Sequence, residues 1–416
     1  MKMRLMKRYV VLAAVLAGFA PAAMADAHQM KMSHMSMAHM REAPQGCSDL
    51  TLSCATTVTP FFAADGTLWI AARAGNRIFV AHSQNDGRTF SNAVAIDSGS
   101  AKLDWGPDAR PKIVVDHSGI VTVAYATFRD NAFDGEVFTT QSRDGGKSFD
   151  SPKPITDIQE SQRFIDIQLD ADGHLFAAWL DKRDRVAFKA EGKAYPGAGL
   201  AFAWSNDHGK NFSKTRIVLD NTCECCRLAV ALKGPGQPVV LFRKIFPGGI
   251  RDPAIVTFHG PNKPGLLHRV SVDDWQIDAC PHKGPSLAIA ADGSYHAVWF
   301  TQGKARQGLF YARSTDAGKH FSKPLPLGPA GQALSRSSIL ATGKTIWIAW
   351  KAFDGTKTNL MLMTSHDDGA SFGPLRVVSS TAKNSDHPIL VRGGNKVFLS
   401  WQTQEGYHLI AVGDAS

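Results

Sequence analysis

One eight-residue motif recurs five times along this chain and constrains its fold more than any other feature. Segments 83–90, 142–149, 205–212, 314–321 and 365–372 all read Ser-x-Asp/Asn-x-Gly-x-x-Phe. The Gly tolerates positive φ, the Asp or Asn caps its own turn, and the Phe anchors that turn in apolar packing. Each copy therefore predicts a β-hairpin tip. The starts lie 59, 63, 109 and 51 residues apart, and the near-double third interval places a degenerate copy around residues 259–266. A recurring unit of this size predicts a propeller.

A second repeat runs in another register. Asp65-Gly66-Thr67-Leu68-Trp69, His117-Ser118-Gly119-Ile120-Val121, Asp172-Gly173-His174-Leu175-Phe176 and Asp292-Gly293-Ser294-Tyr295-His296 each open an apolar run, and weaker copies begin at Gly236, Gly343 and Gly394. Each reads as a strand, a Gly turn and an alternating strand, the inner pair of a blade. The count predicts an all-β propeller of four-stranded blades, seven of them, or six if the terminal segment merges with the first. The last unit supplies three strands only, so residues 50–57 are expected to donate the fourth and remove the exposed edge. Trp69, Trp179, Trp299, Trp347 and Trp401 fall near equivalent strand ends and are expected in the core before serving as any sugar platform.

On the five Ser-x-Asp/Asn-x-Gly-x-x-Phe copies, the chain from about Thr56 onward resembles the sialidase-like propellers that carry Asp-box (BNR) repeats. The resemblance implies the fold; it does not imply one activity, because that fold hosts hydrolases, receptors and assembly factors. In sialidases it implies an arginine triad for a carboxylate, a Tyr with a Glu partner as nucleophile and an Asp acid. Here the arginine-bearing segment before the first blade is absent, and the chain has only 6 Tyr.

The first residues read as a leader. Lys2, Arg4, Lys7 and Arg8 precede the apolar run 10–23, and Ala23-Met24-Ala25 is a small-x-small cleavage site. The run is too short for a membrane anchor. Residues 1–25 are thus a signal peptide, 26–46 a disordered tail and 47–416 one propeller domain, in a periplasmic or secreted protein. Removing the four basic residues takes the formal charge from +9 to +5, with basic residues scattered among acidic ones, which argues against nucleic-acid binding.

Cleavage after Ala25 exposes Asp26-Ala27-His28, which resembles the amino-terminal copper and nickel site of serum albumins. An amine, two amides and the His28 imidazole suit Cu(II). Met30, Met32, His34, Met35, Met37, His39 and Met40 follow, soft thioether and imidazole ligands suited to Cu(I), in a segment with almost nothing to pack.

The 6 cysteines are an even number in an exported chain. Cys47 and Cys54 are expected to form a disulfide. Adjacent cysteines such as Cys225 and Cys226 rarely bridge each other without strain. Together with Cys280 and His282, the triplet of Cys223, Cys225 and Cys226 suits either one disulfide between Cys280 and one of its members plus a second pair, or a soft-metal thiolate site. Both segments precede the first strand of neighbouring blades, in the connections around the channel mouth, where Glu224 is also expected.

That register holds more. First strands are expected to start after Arg110, Arg163, Arg227, Lys283, Arg336 and His387, ringing the mouth with cations. Such a ring can hold an anion through bidentate guanidinium contacts or simply reach to water. Loops 128–136, 181–199 and 243–252 add Arg129, Arg183 and Arg251. His82, His117, His174, His208, His296, His320 and His366 share no register and are expected at the surface.

Three functional readings follow. One is periplasmic copper handling, the metal captured by the tail and held by the Cys/His site. Another is a sialidase-type hydrolase using the arginine ring with Asp104, Asp108 or Asp166. The last is a non-catalytic propeller binding a glycan, an anionic small molecule or a protein partner. No carboxylate pair or Tyr/Glu nucleophile stands at a recognisable motif, so the first reading leads and no catalytic residue is assigned.

Overall fold

The computed structural model describes residues 47, 49–99, 101–104, 108–129, 134–158, 161–277, 279, 281–329 and 332–415. The leader, the Met/His tail and Cys280 lie outside the described residues.

All seven second-repeat segments form strands: Leu68–Ala74, Val121–Phe128, Leu175–Asp181, Pro238–Phe246, Tyr295–Gln302, Thr345–Phe353 and Lys396–Thr403. Each is hydrogen-bonded to an antiparallel neighbour on both sides. Two sheets share a single pair, Thr222 with Lys244, and are otherwise separate four-stranded runs. The innermost strands touch in cyclic order: Thr57–Phe62, Lys112–Val115, Gln162–Leu169, Ala229–Leu232, Ser286–Ile289, Ala333–Thr342 and Ile389–Gly393, the last returning to the first. The fold is an all-β propeller.

The core lies between blades rather than within them. Trp69, Ile78 and Val80 of the first sheet pack on Ile113, Val121 and Tyr125 of the next, and Phe176 and Phe202 meet Val240 and Phe258 across another seam. Both faces of a middle strand are therefore covered. Leu68–Ala74 and Leu175–Asp181 are buried throughout, where the expected alternation would have left one face wet. Trp179, Trp299 and Trp401 are fully buried in these seams.

The five motif copies adopt one turn between third and fourth strands. In each, the Ser hydroxyl accepts the Gly N–H, at 2.9 Å for Ser83 and Gly87 and 2.8 Å for Ser365 and Gly369. The Asp or Asn carbonyl oxygen accepts the N–H four residues on, as Asp207 does from Asn211 at 2.9 Å. The residue before the Gly takes positive φ in every copy, non-Gly in four of them: Asp86, His208, Ala317 and Asp368. The degenerate copy survives as a bare hairpin, with the His259 N–H donating to the Lys263 carbonyl at 2.8 Å.

Closure differs from expectation. Residues 50–56 form turns, and Thr57–Phe62 is the innermost strand of the first blade. The last sheet keeps three strands, Ile389–Gly393, Lys396–Thr403 and Gly406–Asp414. Leu50 and Leu52 pack with Tyr407 and Leu409 beside it, and Gln402 Nε2 donates to the Leu52 carbonyl at 3.1 Å. A side-chain plug serves where a fourth strand was expected, because the chain must already turn inward to begin the first blade. Cys54 of this plug is bonded to Cys47.

Two glycines separate strain from crowding. A Cβ on Gly66 (φ +85°) meets nothing within 4 Å, whereas one on Gly369 (φ +76°) would lie 1.8 Å from the Tyr311 hydroxyl. Gly66→Ala is expected to cost about 1 kcal/mol from backbone strain alone. Gly369→Ala adds overpacking and should cost about 3 kcal/mol or more. Urea unfolding of both variants checks this, and equal losses would contradict it.

Candidate functional site

Strand alternation sets the two faces. Third-to-fourth turns carry the motif, so the connections entering each first strand and those joining second to third strands share the opposite end of the ring. The expected ring residues come together there, but not as free cations reaching for water. Arg163 grips Asp104 with two bonds, 2.7 and 2.9 Å. Arg110 pairs with Asp386, whose other oxygen accepts the Val58 N–H at 3.2 Å. Arg227 donates to Asp108 at 3.0 Å and to the Ser337 carbonyl at 2.8 Å, and Arg336 bonds Asp108 from across the ring. His387 Nε2 stands 3.2 Å from the same oxygen. Lys283 bonds the Leu334 carbonyl at 3.1 Å, its ammonium 3.7 Å from the centre of the Phe300 ring. Snorkelling fails as a description because buried charges must be paired.

Two of these residues also bend their strands. Arg163 and Arg336 lie inside first strands, each beside a register shift, with positive φ at Phe164 and Arg336. These bulges re-aim the side chains toward the axis.

A further tier escaped the sequence reading. Arg73, Arg243 and Lys351 sit near the mouth ends of second strands, and Asp386 precedes His387. Their signal is a basic residue closing an apolar run, as in Leu68-Trp69-Ile70-Ala71-Ala72-Arg73. Arg243 is 3% exposed and donates to the carbonyls of Arg251, Lys283 and Phe300. Lys351 bonds the Ser385 carbonyl. Burial pulls Arg73 down to about 10, and its Nη1 is buried without a hydrogen-bond partner among the described residues, as are Arg110 Nε and Arg243 Nε.

Among the described residues, the electrostatics show a cationic excess. Burial, then the nearby Arg336 and Arg243, bring Lys283 down to about 8; burial and Arg336 bring Lys351 to about 8. Burial beside Arg110 and Arg227 holds His387 well below the usual imidazole range, hence neutral. Burial opposes ionisation of Asp108, but Arg336, Arg227 and His387 overcome it and hold the carboxyl well below its ordinary value. Asp108 thus stays ionised, Asp104 has both oxygens on Arg163, and Asp166 lies 3.0 Å from Lys112. Asp108 in particular is no proton donor near neutral pH.

A cavity of about 240 Å³ runs along the axis, lined by Thr59, Arg110, Lys112, Asp166, Arg227, Ser337 and His387 among others. A larger one, about 530 Å³, opens near the turns of 142–149 and 205–212 and holds none of the expected site residues.

Beside the mouth, Cys223, Cys225 and Cys226 form a buried cluster of their own. Cys223 Sγ is 3.6 Å from Cys225 Sγ and 3.7 Å from Cys226 Sγ. Hydrogen bonds from Cys225 and Cys226 lower the Cys223 thiol well below its usual range, and the bond to Cys223 raises Cys226 to about 11. His282, lowered by burial, faces both Asp108 and Cys226 electrostatically. Glu224 instead turns to Lys182, 3.6 Å away. Of the loop arginines, Arg183 pairs with Asp181 at 2.7 Å, Arg129 stands 4.0 Å from Glu136, and Arg251 reaches Cys223. The 181–199 connection also carries a short helix, Arg185–Ala190. His296 departs from the surface expectation: it is fully buried, bonded to Tyr311 at 2.8 Å.

No protein-family model and no curated protein matches this chain. Solved structures do. An ulvan lyase of polysaccharide lyase family PL25, solved bound to -[GlcA(1-4)Rha3S]-, is similar at 10% identity and TM-score 0.56, over 87% of this chain and 95% of its own. Polysaccharide lyase Uly1 is similar at 8% identity and TM-score 0.54, over 87% and 90%. The intramolecular trans-sialidase of Ruminococcus gnavus is similar at 12% identity and TM-score 0.45, over 89% and 97%. The two lyase likenesses show the shared β-propeller fold.

Removing the Asp108 charge tests the network. Asp108→Asn should cost about 3–5 kcal/mol at pH 7, because it leaves two buried guanidinium groups facing a neutral amide. The folded-state pKa is depressed, so the wild-type advantage is complete above the ordinary value of 3.8 and is lost as pH falls through the folded value. Urea unfolding from pH 7 down to pH 3 should show a constant gap that closes only below about pH 4.

Proposed function

We propose that this protein binds an anionic ligand, an acidic saccharide, at the channel mouth. The observation that carries the reading is the surplus of buried cations: Lys283, Lys351 and Arg243 bond only carbonyl oxygens among the described residues. A carboxylate or sulfate would supply the missing counter-charge and accept from guanidinium and ammonium donors. The cavity, at about 240 Å³, falls below the range of about 300–1,000 Å³ common for small-molecule sites. Its cationic lining is Arg110, Lys112 and Arg227, not Lys283, Lys351 or Arg243; it accommodates one charged group or one sugar, with the remainder of a ligand lying across the face toward those lysines.

Recognition is favoured over hydrolysis, since Asp104, Asp108 and Asp166 are all engaged by cations. The ulvan lyase with the shared fold is bound in its solved structure to a uronic, sulfated saccharide, and that chemistry supplies the first probe. If the leader reading holds, the site works outside the cytoplasm, on ligands met in the periplasm or the medium.

Titration calorimetry against glucuronate-containing sulfated oligosaccharides, 3'-sialyllactose and a neutral oligosaccharide tests the proposal. Binding is expected for an acidic ligand and not for the neutral one. Affinity should fall as pH rises through about 8, where Lys283 and Lys351 lose their protons. Lys283→Met should weaken binding about tenfold, the loss of one charge-assisted bond. Equal binding of charged and neutral sugars, or none at millimolar concentration, would overturn the reading.

A further inference from the structure

The thiol cluster does not depend on the mouth being a saccharide site. We infer that Cys223, Cys225 and Cys226 form a thiolate site for one Cu(I) ion, with Arg251 donating to it.

Spacing is the first observation. A metal–sulfur distance of about 2.3 Å puts thiolates about 3.8 Å apart in a tetrahedral set and about 4.0 Å apart in a trigonal one. The sulfurs here stand 3.6 and 3.7 Å apart from Cys223, and all three lie within 4.8 Å of one another. A disulfide would bring one pair to about 2.05 Å.

Surroundings are the second. Buried cysteines ordinarily serve as small apolar residues inside a core. These three join no apolar cluster, at 1%, 3% and 2% exposure. A charged neighbour stands beside them instead: Arg251 Nη1 donates to Cys223 Sγ at 3.6 Å.

Ligand softness selects the metal. Soft sulfur donors favour Cu(I) over hard cations. Each ligating thiol gives its proton to solvent, and copper stays Cu(I) throughout, so no oxidant or reductant is required.

The test uses the full chain, isolated anaerobically and titrated with Cu(I) against a chromophoric Cu(I) chelator. A thiolate-to-copper charge-transfer band should grow in and saturate at one equivalent; thioether and imidazole groups of the 26–46 segment do not produce it. Cys223→Ser and Cys226→Ser should abolish the band and weaken Cu(I) binding at that site at least tenfold, with the circular dichroism of the sheet unchanged. Arg251→Gln should weaken it while keeping the band. Absence of the band in the wild-type chain overturns the inference even if the serine variants fail to fold, and so does a disulfide engaging any of the three cysteines in the anaerobic protein. Saccharide binding measured on the same samples separates this result from the reading of the mouth.

Discussion

Ring closure brings buried charges together at the mouth of the channel. The first strands of the blades converge on the axis, and a carboxylate is shared across it. Asp108 takes Arg227 from one blade and Arg336 from another, while Asp386 ties Arg110 to the backbone of the first strand. Removing either carboxylate would leave buried cations facing each other, so the geometry of the mouth depends on these two anions.

That same matching is incomplete, which gives the face its chemistry. Carboxylates satisfy the guanidinium groups nearest the axis, while among the described residues Arg243 and Lys351 of the second strands meet carbonyl dipoles. A carbonyl accepts a hydrogen bond but carries no net charge. Lys283 and Lys351 register the shortfall in their weakened hold on a proton.

The repeats were legible because hairpin chemistry is local. Ser83, Asn85 and Gly87 make the same bonds as Ser365, Asp367 and Gly369, and the second strands announced themselves by apolar runs. The ring register was legible in part, a basic residue or histidine near the start of six first strands, although Arg163 and Arg336 lie inside theirs. Its partners were not. Arg336 meets Asp108 across 228 residues, and no spacing in the chain encodes which carboxylate a ring of blades will present to which arginine. The closing segment misled because a half-apolar stretch before the first blade reads equally as an outer strand or as a plug. Cys223, Cys225 and Cys226 could be placed at the mouth from topology, whereas their distance from one another is a matter of a turn that the sequence does not specify.

The seam at Asp386 carries a kinetic implication. Every sheet is built from strands adjacent in the chain, which can pair early and independently, with the motif at five of the third-to-fourth turns. The bond from Val58 to Asp386 instead joins residues 328 apart, and such a contact recovers its loop-closure entropy only when the intervening blades are already stacked. The ring therefore closes late in folding and opens first in unfolding. The Val58–Asp386 bond shares that seam with the stacked rings of Phe62 and Phe398.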